Sequence, residues 1–182
     1  MVEKKSLKSK VCLVGEKGVG KTSLIRRYVM DVFDDTYITT IGTKVTKKET
    51  KLFRPELEAE IRVDMTVWDI MGEKGFRQLL KESYFYGANG VLAVADITRK
   101  KTLDDLDDWI DGVEDVVGKV PILVAVNKAD LLDGAQYSLK EITQTARAYD
   151  SEFMYTSAKT GEGVEDCFKK LGNLMVDNQL DL

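Results

Sequence analysis

Histidine is absent from this chain of 182 residues, and only two cysteines and two prolines occur. Without an imidazole, Ser-His-Asp and Cys-His nucleophilic chemistry and most zinc sites are excluded. Any hydrolysis must then be carried by carboxylates, backbone groups, a metal or the substrate itself. Cys12 sits in the apolar run VCLV and Cys167 in a predicted C-terminal helix. Both read as small buried hydrophobes, which suits a reducing, cytoplasmic compartment. No apolar run reaches the roughly eighteen residues of a membrane-spanning helix, and no signal-peptide pattern opens the chain. The ending DNQLDL has no cysteine to prenylate and Met1-Val2 no glycine to myristoylate, so no lipid anchor is expected on this chain.

Hydrophobic residues make up 43% and charged residues 32%, the balance of a soluble globular domain rather than a disordered chain. The net charge of -4 argues against nucleic acid as a partner, because binding the phosphate backbone needs a basic face. One domain is expected, over residues 11–178. A lysine-rich tail, 1–10, precedes it and a short tail, 179–182, follows it.

Short β-rich runs alternate with amphipathic segments. Strands are predicted at Val11–Gly15, Thr43–Phe53, Ile61–Asp69, Gly90–Asp96, Pro121–Asn127 and Glu152–Thr156. Helices are predicted at Lys21–Met30, Arg77–Tyr86, Leu103–Val117, Ser138–Tyr149 and Val164–Asn178, with Ser138 and Glu141 forming a capping box. VLAVAD and PILVAVN are apolar throughout, as in strands covered on both faces. Ile61, Val63, Met65 and Val67 instead alternate with polar residues. This order predicts an α/β domain with a mainly parallel sheet, interrupted by a hairpin that turns at Pro55.

GEKGVGKTS follows the first strand and matches G-x-x-x-x-G-K-[ST], with Gly15, Gly20, Lys21 and Thr22 at the defining positions. Such glycines let successive backbone N–H groups turn toward phosphate, at the positive end of the helix that follows. Lys21 would reach the β and γ phosphates and the Thr22 hydroxyl would ligate Mg²⁺. NKAD, 127–130, closes an apolar strand, where Asp130 could accept from guanine N1–H and its exocyclic amine. Adenine offers neither donor. SAK, 157–159, could present the Ala158 N–H to the guanine carbonyl. TTIG lies in a polar loop, where a Thr40 hydroxyl held by metal and phosphate would order the segment with GTP and release it with GDP.

Taken in order, GEKGVGKTS, TTIGT, DIMG, NKAD and SAK resemble the Ras-superfamily small GTPases, and most the Rab branch, over roughly Val11 to Val176. The resemblance implies a P-loop NTPase G domain with a six-stranded sheet, one antiparallel edge strand and helices on both faces. It implies a monomeric switch cycling between GDP and GTP with Mg²⁺. Its nucleotide contacts would come from Gly15, Lys17, Gly18, Val19, Gly20, Lys21, Thr22, Ser23, Phe33, Tyr37, Thr40, Gly72, Asn127, Lys128, Asp130, Ser157, Ala158 and Lys159. The metal would be held by Thr22, Thr40 and, through water, Asp69. The Gly72 N–H would sense the γ-phosphate and Phe33 would pack on guanine. Effectors would engage Thr36–Val45 and Trp68–Tyr84, including an incomplete aromatic triad of Val45, Trp68 and Tyr84. An exchange factor and an activating protein are also implied.

Two positions depart from that pattern. Glu73 stands where the family carries the glutamine that orients the attacking water, and Lys17 replaces a small residue in the phosphate loop. A carboxylate accepts but cannot donate, and it adds charge to an already anionic transition state. With Lys21 and Thr40, these residues make up the catalytic set. Glu73 is expected to obstruct hydrolysis, with Lys17 crowding the γ-phosphate and excluding an arginine finger. The competing arrangement pairs Lys17 with Glu73 or the γ-phosphate and supplies positive charge in cis. A loaded scaffold with negligible turnover, and a P-loop kinase or ATPase, are the other readings; for the latter no arginine-bearing lid is visible between 96 and 160.

Overall fold

The computed structural model describes residues 3–55 and 58–180. Six strands, β1 (Glu3–Val14), β2 (Thr43–Arg54), β3 (Ala59–Ile70), β4 (Gly90–Asp96), β5 (Ile122–Asn127) and β6 (Glu152–Tyr155), form one sheet ordered β2-β3-β1-β4-β5-β6. Every neighbouring pair is parallel except β2 with β3, so the one antiparallel strand is the edge strand β2. The helices are α1 (Lys21–Met30), α2 (Lys74–Phe85), α3 (Lys100–Asp104), α4 (Leu106–Val117), α5 (Leu139–Ala148) and α6 (Val164–Leu180).

The apolar runs of β4 and β5 are buried at every position, whereas β3 alternates buried and wetter residues, in keeping with their sequence patterns. One face of the sheet packs on α1 and α6, where the Tyr28 and Phe168 rings stack with centroids 4.0 Å apart. The other face packs on α4 and α5 around fully buried Trp109. Leu106, Trp109, Ile110 and Val113 recur at helical spacing and supply that face of α4.

Several boundaries differ from the sequence reading, among them that of α2, which begins at Lys74 rather than Arg77. The first strand begins at Glu3, not Val11, so the lysine-rich segment read as a tail is a ladder partner of β3 from Glu3–Ala59 onward. Ser9 is buried and accepts from the Gln179 amide at 3.0 Å, while Leu7 packs against the core, which gives this polar stretch an inner face. The single helix expected over Leu103–Val117 is two. α3 starts at Lys100 and ends at Asp104, ψ relaxes to -2° at Asp105, and Leu103 and Leu106 on either side of the break are both buried. The last helix continues to Leu180, beyond the expected end at 178. The hairpin turn at Pro55 is present, closed by Glu58 N–H to the Pro55 carbonyl at 3.1 Å, and the capping box at Ser138 and Glu141 is formed.

Candidate functional site

The carboxyl ends of β1, β3, β4, β5 and β6 bring their loops to one edge of the sheet, the usual position for ligands in such folds. A cleft of ≈ 330 Å³ opens there between the loop after β1, the segment 32–40, the end of β3 and the loops after β5 and β6.

The loop after β1 depends on glycine. Gly15 has φ 138°, and a Cβ there would stand 2.3 Å from the Val94 carbonyl oxygen. Gly20 has φ 104°, and its Cβ would meet Asn127 Nδ2 at 2.2 Å. Lys21 folds back beneath the loop and donates from Nζ to the carbonyls of Gly15 (2.6 Å) and Glu16 (2.9 Å). Burial lowers its pKa to about 8, against the opposing pull of Asp69 and Glu16. No side chain caps the start of α1, which leaves its first N–H groups turned to the cleft with Thr22 and Ser23.

Thr22 Oγ1 lies 2.8 Å from Thr40 Oγ1 and donates to Asp69 Oδ2 at 2.5 Å. Asp69 is buried, and its Oδ1 has no hydrogen-bond partner among the described residues. Burial raises its carboxyl pKa above the ordinary value, partly offset by the Thr22 hydrogen bond and by Lys21. Two hydroxyls and a half-satisfied carboxylate thus converge from three elements, an oxygen donor set suited to a hard divalent cation.

At the far end of the cleft, Asn127 donates to the Val19 carbonyl (2.9 Å) and accepts from Thr156 Oγ1 (3.1 Å) and the Ala158 N–H (3.3 Å). One side chain therefore joins the phosphate loop to both base loops. Asp130 faces the cleft with Oδ1 held by Ser157 Oγ at 2.6 Å. Lys128, in the left-handed region at φ 64°, pairs through Nζ with Asp96 Oδ2 at 2.6 Å. Phe33 both lines the cleft and packs on the core.

Gly72 backs onto the phosphate loop. A Cβ there would lie 2.5 Å from the Lys17 nitrogen and 2.8 Å from its Cα. Beside it, Lys17 Nζ and Glu73 Oε1 approach to 3.4 Å, both side chains about half exposed at 48% and 43%. Tyr37 and Ile38 are exposed at the cleft rim, and Ile41, outside the cleft lining, is exposed beside them. Val45 pairs in register with Trp68, whose ring carries Lys10 Nζ 3.6 Å from its centre, and Tyr84 is half-buried.

Of the expected nucleotide contacts, Lys17, Gly18, Gly20, Lys21, Thr22, Ser23, Phe33, Tyr37, Thr40, Gly72, Asn127, Lys128, Asp130, Ala158 and Lys159 line the cleft. Gly15, Val19, Ser157 and the metal candidate Asp69 do not. Val19 and Ser157 are fully buried behind it, Asp69 nearly so, and Ser157 acts on Asp130 from there. Sequence reasoning missed Arg26, Asp34 and Asp35 along the rim, and Arg99 behind the loop. Nothing in the spacing of these four marked them out.

The model of the Ras family matches residues 10–177. Ras-related protein Rab-8A of Bos taurus is 35% identical over 163 residues, covering 89% of this chain and 75% of its own length. Ras-related protein Rab-8B of Homo sapiens is 34% identical over 160 residues, covering 87% and 74%. With that match running from β1 into α6, and with this sheet order and cleft, the chain is a Rab-like member of the Ras family of small GTP-binding switches.

Proposed function

We propose that the cleft holds GDP or GTP with Mg²⁺ and that the bound GTP is hydrolysed slowly. The observation carrying this reading is the convergence of Thr22, Thr40 and the unsatisfied Asp69 oxygen beside Lys21. Thr22 and Thr40 would hold the metal directly and Asp69 would hold it through water. A bound Mg²⁺ supplies charge neutralisation at the β and γ phosphates.

The chain's own groups have distinct tasks. Lys21 gives up its loop carbonyls to meet phosphate oxygens, and the loop N–H groups surround them. Asp130, positioned by Ser157, accepts from guanine and leaves adenine without a matching partner. Thr40 joins the metal set only when the 32–40 segment closes, which couples the γ-phosphate to the surface offered by Thr36–Val45 and Trp68–Tyr84. That surface would receive effectors, an exchange factor and an activating protein.

Glu73 sets the rate. Its carboxylate is drawn to Lys17 and cannot donate toward the transferring phosphoryl group as an amide could. The same pair stands where an arginine finger would enter. An ion pair this exposed is a weak tether, contributing under about 1 kcal/mol. A cytoplasmic setting fits the two buried free thiols, Cys12 and Cys167.

Single-turnover hydrolysis of pre-bound GTP with Mg²⁺ tests the reading, alongside ATP competition for binding. Slow turnover, raised by Glu73→Gln, is expected, with ATP failing to compete. Rapid wild-type turnover lost in Glu73→Gln would make the Lys17–Glu73 pair catalytic. No turnover over many hours in either protein would make the chain a loaded scaffold.

A further inference from the structure

We infer that Arg99 is a positioning residue for the nucleotide, fixing the Lys17–Gly18 peptide and tying it through Asp96 to Lys128 of the base loop. The inference rests on the nucleotide reading of the cleft and goes beyond it. Arg99 is not a cleft residue. It sits behind the phosphate loop, at the N-terminal boundary of α3.

Its Nη2 donates to the Lys17 carbonyl at 3.0 Å and its Nε to Asp96 Oδ2 at 3.0 Å. A trans peptide is planar, so a carbonyl turned outward to Arg99 turns the next N–H the opposite way. That N–H belongs to Gly18, which lines the cleft at φ 76°. The Cβ position of Gly18 lies 3.6 Å from Arg99 Nη2, so the guanidinium also backs the glycine itself. Without this outward grip, the left-handed glycine could flip its peptide at little cost and withdraw one donor from the cradle.

Asp96 makes the grip more than local. It is buried, and Oδ2 is shared between Arg99 Nε and Lys128 Nζ, while Oδ1 takes the Thr98 N–H (2.9 Å) and hydroxyl (2.6 Å). Asp96 also ends β4 in register with Asn127. The phosphate loop and the base loop are therefore tied to one carboxylate, independently of the Asn127–Val19 tether. A planar fork suits this geometry, because Nε and Nη2 reach the two acceptors from separate nitrogens held rigidly in one plane.

The test is the dissociation rate of a fluorescent GDP from wild type, Arg99→Ala, Arg99→Lys, Asp96→Asn and the Ala/Asn double variant. Arg99→Ala is expected to speed release about tenfold, the scale of one half-exposed charge-assisted hydrogen bond. Arg99→Lys should recover part of the loss. The double variant should release GDP no faster than the worse single variant. The ³¹P resonance of the β-phosphate should shift more than that of the α-phosphate in Arg99→Ala, which loss of general stability would not produce. Release unchanged in Arg99→Ala, or effects of the two substitutions that simply multiply, would overturn the inference. A wild type that retains no GDP would remove the nucleotide reading first, and this inference with it.

Discussion

Lys17 reaches out of the phosphate loop to within 3.4 Å of Glu73, so the two residues that depart from the family pattern meet each other. Their encounter makes the two readings of hydrolysis separable. If the pair only obstructs, Lys17→Ala should speed single-turnover hydrolysis with Glu73 present and again in the Glu73→Gln background, by up to about tenfold. If Lys17 supplies charge in cis, the same substitution should slow both. Rates of the four proteins of this cycle decide it.

Gly72 has no room for a side chain. An alanine Cβ would press on the Lys17 nitrogen, the Glu16 carbonyl carbon and the Lys17 Cα, all backbone atoms. Gly72→Ala should therefore displace the end of β3 from the phosphate loop. The expected loss falls on GTP more than on GDP, by about ten- to a hundredfold in the ratio of their dissociation constants.

The unsatisfied Asp69 oxygen predicts a metal-dependent gain in stability. Adding Mg²⁺ to the GDP-bound protein should raise Tm by several degrees, and Asp69→Asn should abolish most of that increment. Chelation should accelerate GDP release from wild type and leave the variant almost unaffected.

Asp130→Asn replaces an acceptor with an amide that can also donate. Loss of two charge-assisted hydrogen bonds should weaken GDP binding by about a thousandfold. Binding should recover with a base carrying a carbonyl in place of the exocyclic amine. Competition between guanine and xanthine nucleotides measures both effects.

Glu141 carries a charge effect at the start of α5. Its hydrogen bond from Lys100, then those from Ser138, lower its pKa to about 2. A carboxylate lowered in the folded state adds stability above its ordinary pKa of 4.5, and that stability is lost as pH falls toward 2. Glu141→Gln keeps an acceptor for Ser138 but not the charge. Thermal unfolding of the variant should lack part of the wild-type decline between those pH values.

The lining of the candidate site was largely legible because its motifs are short, local and placed at strand ends. Lys21–Met30 and Gly90–Asp96 agree residue for residue with their sequence patterns. What stayed hidden depends on distant partners. EKKSLKSK has one apolar residue, and only pairing with β3 and contact from Gln179 make it a strand. Arg99 reads as an ordinary surface charge until Lys17 and Asp96 are seen on either side of it. The break at Asp105 carries no glycine or proline to announce it.

The long first strand has a consequence for how the chain assembles. β2 and β3 meet through a tight hairpin, a contact between neighbours in sequence that can form early. β1 pairs, along eleven positions, with a strand that lies beyond α1 and β2 in the chain. Closing that large loop is entropically costly before the ladder rewards it. The ladder that carries the phosphate loop at its end is thus a long-range one, and its closure costs more chain entropy than that of the hairpin.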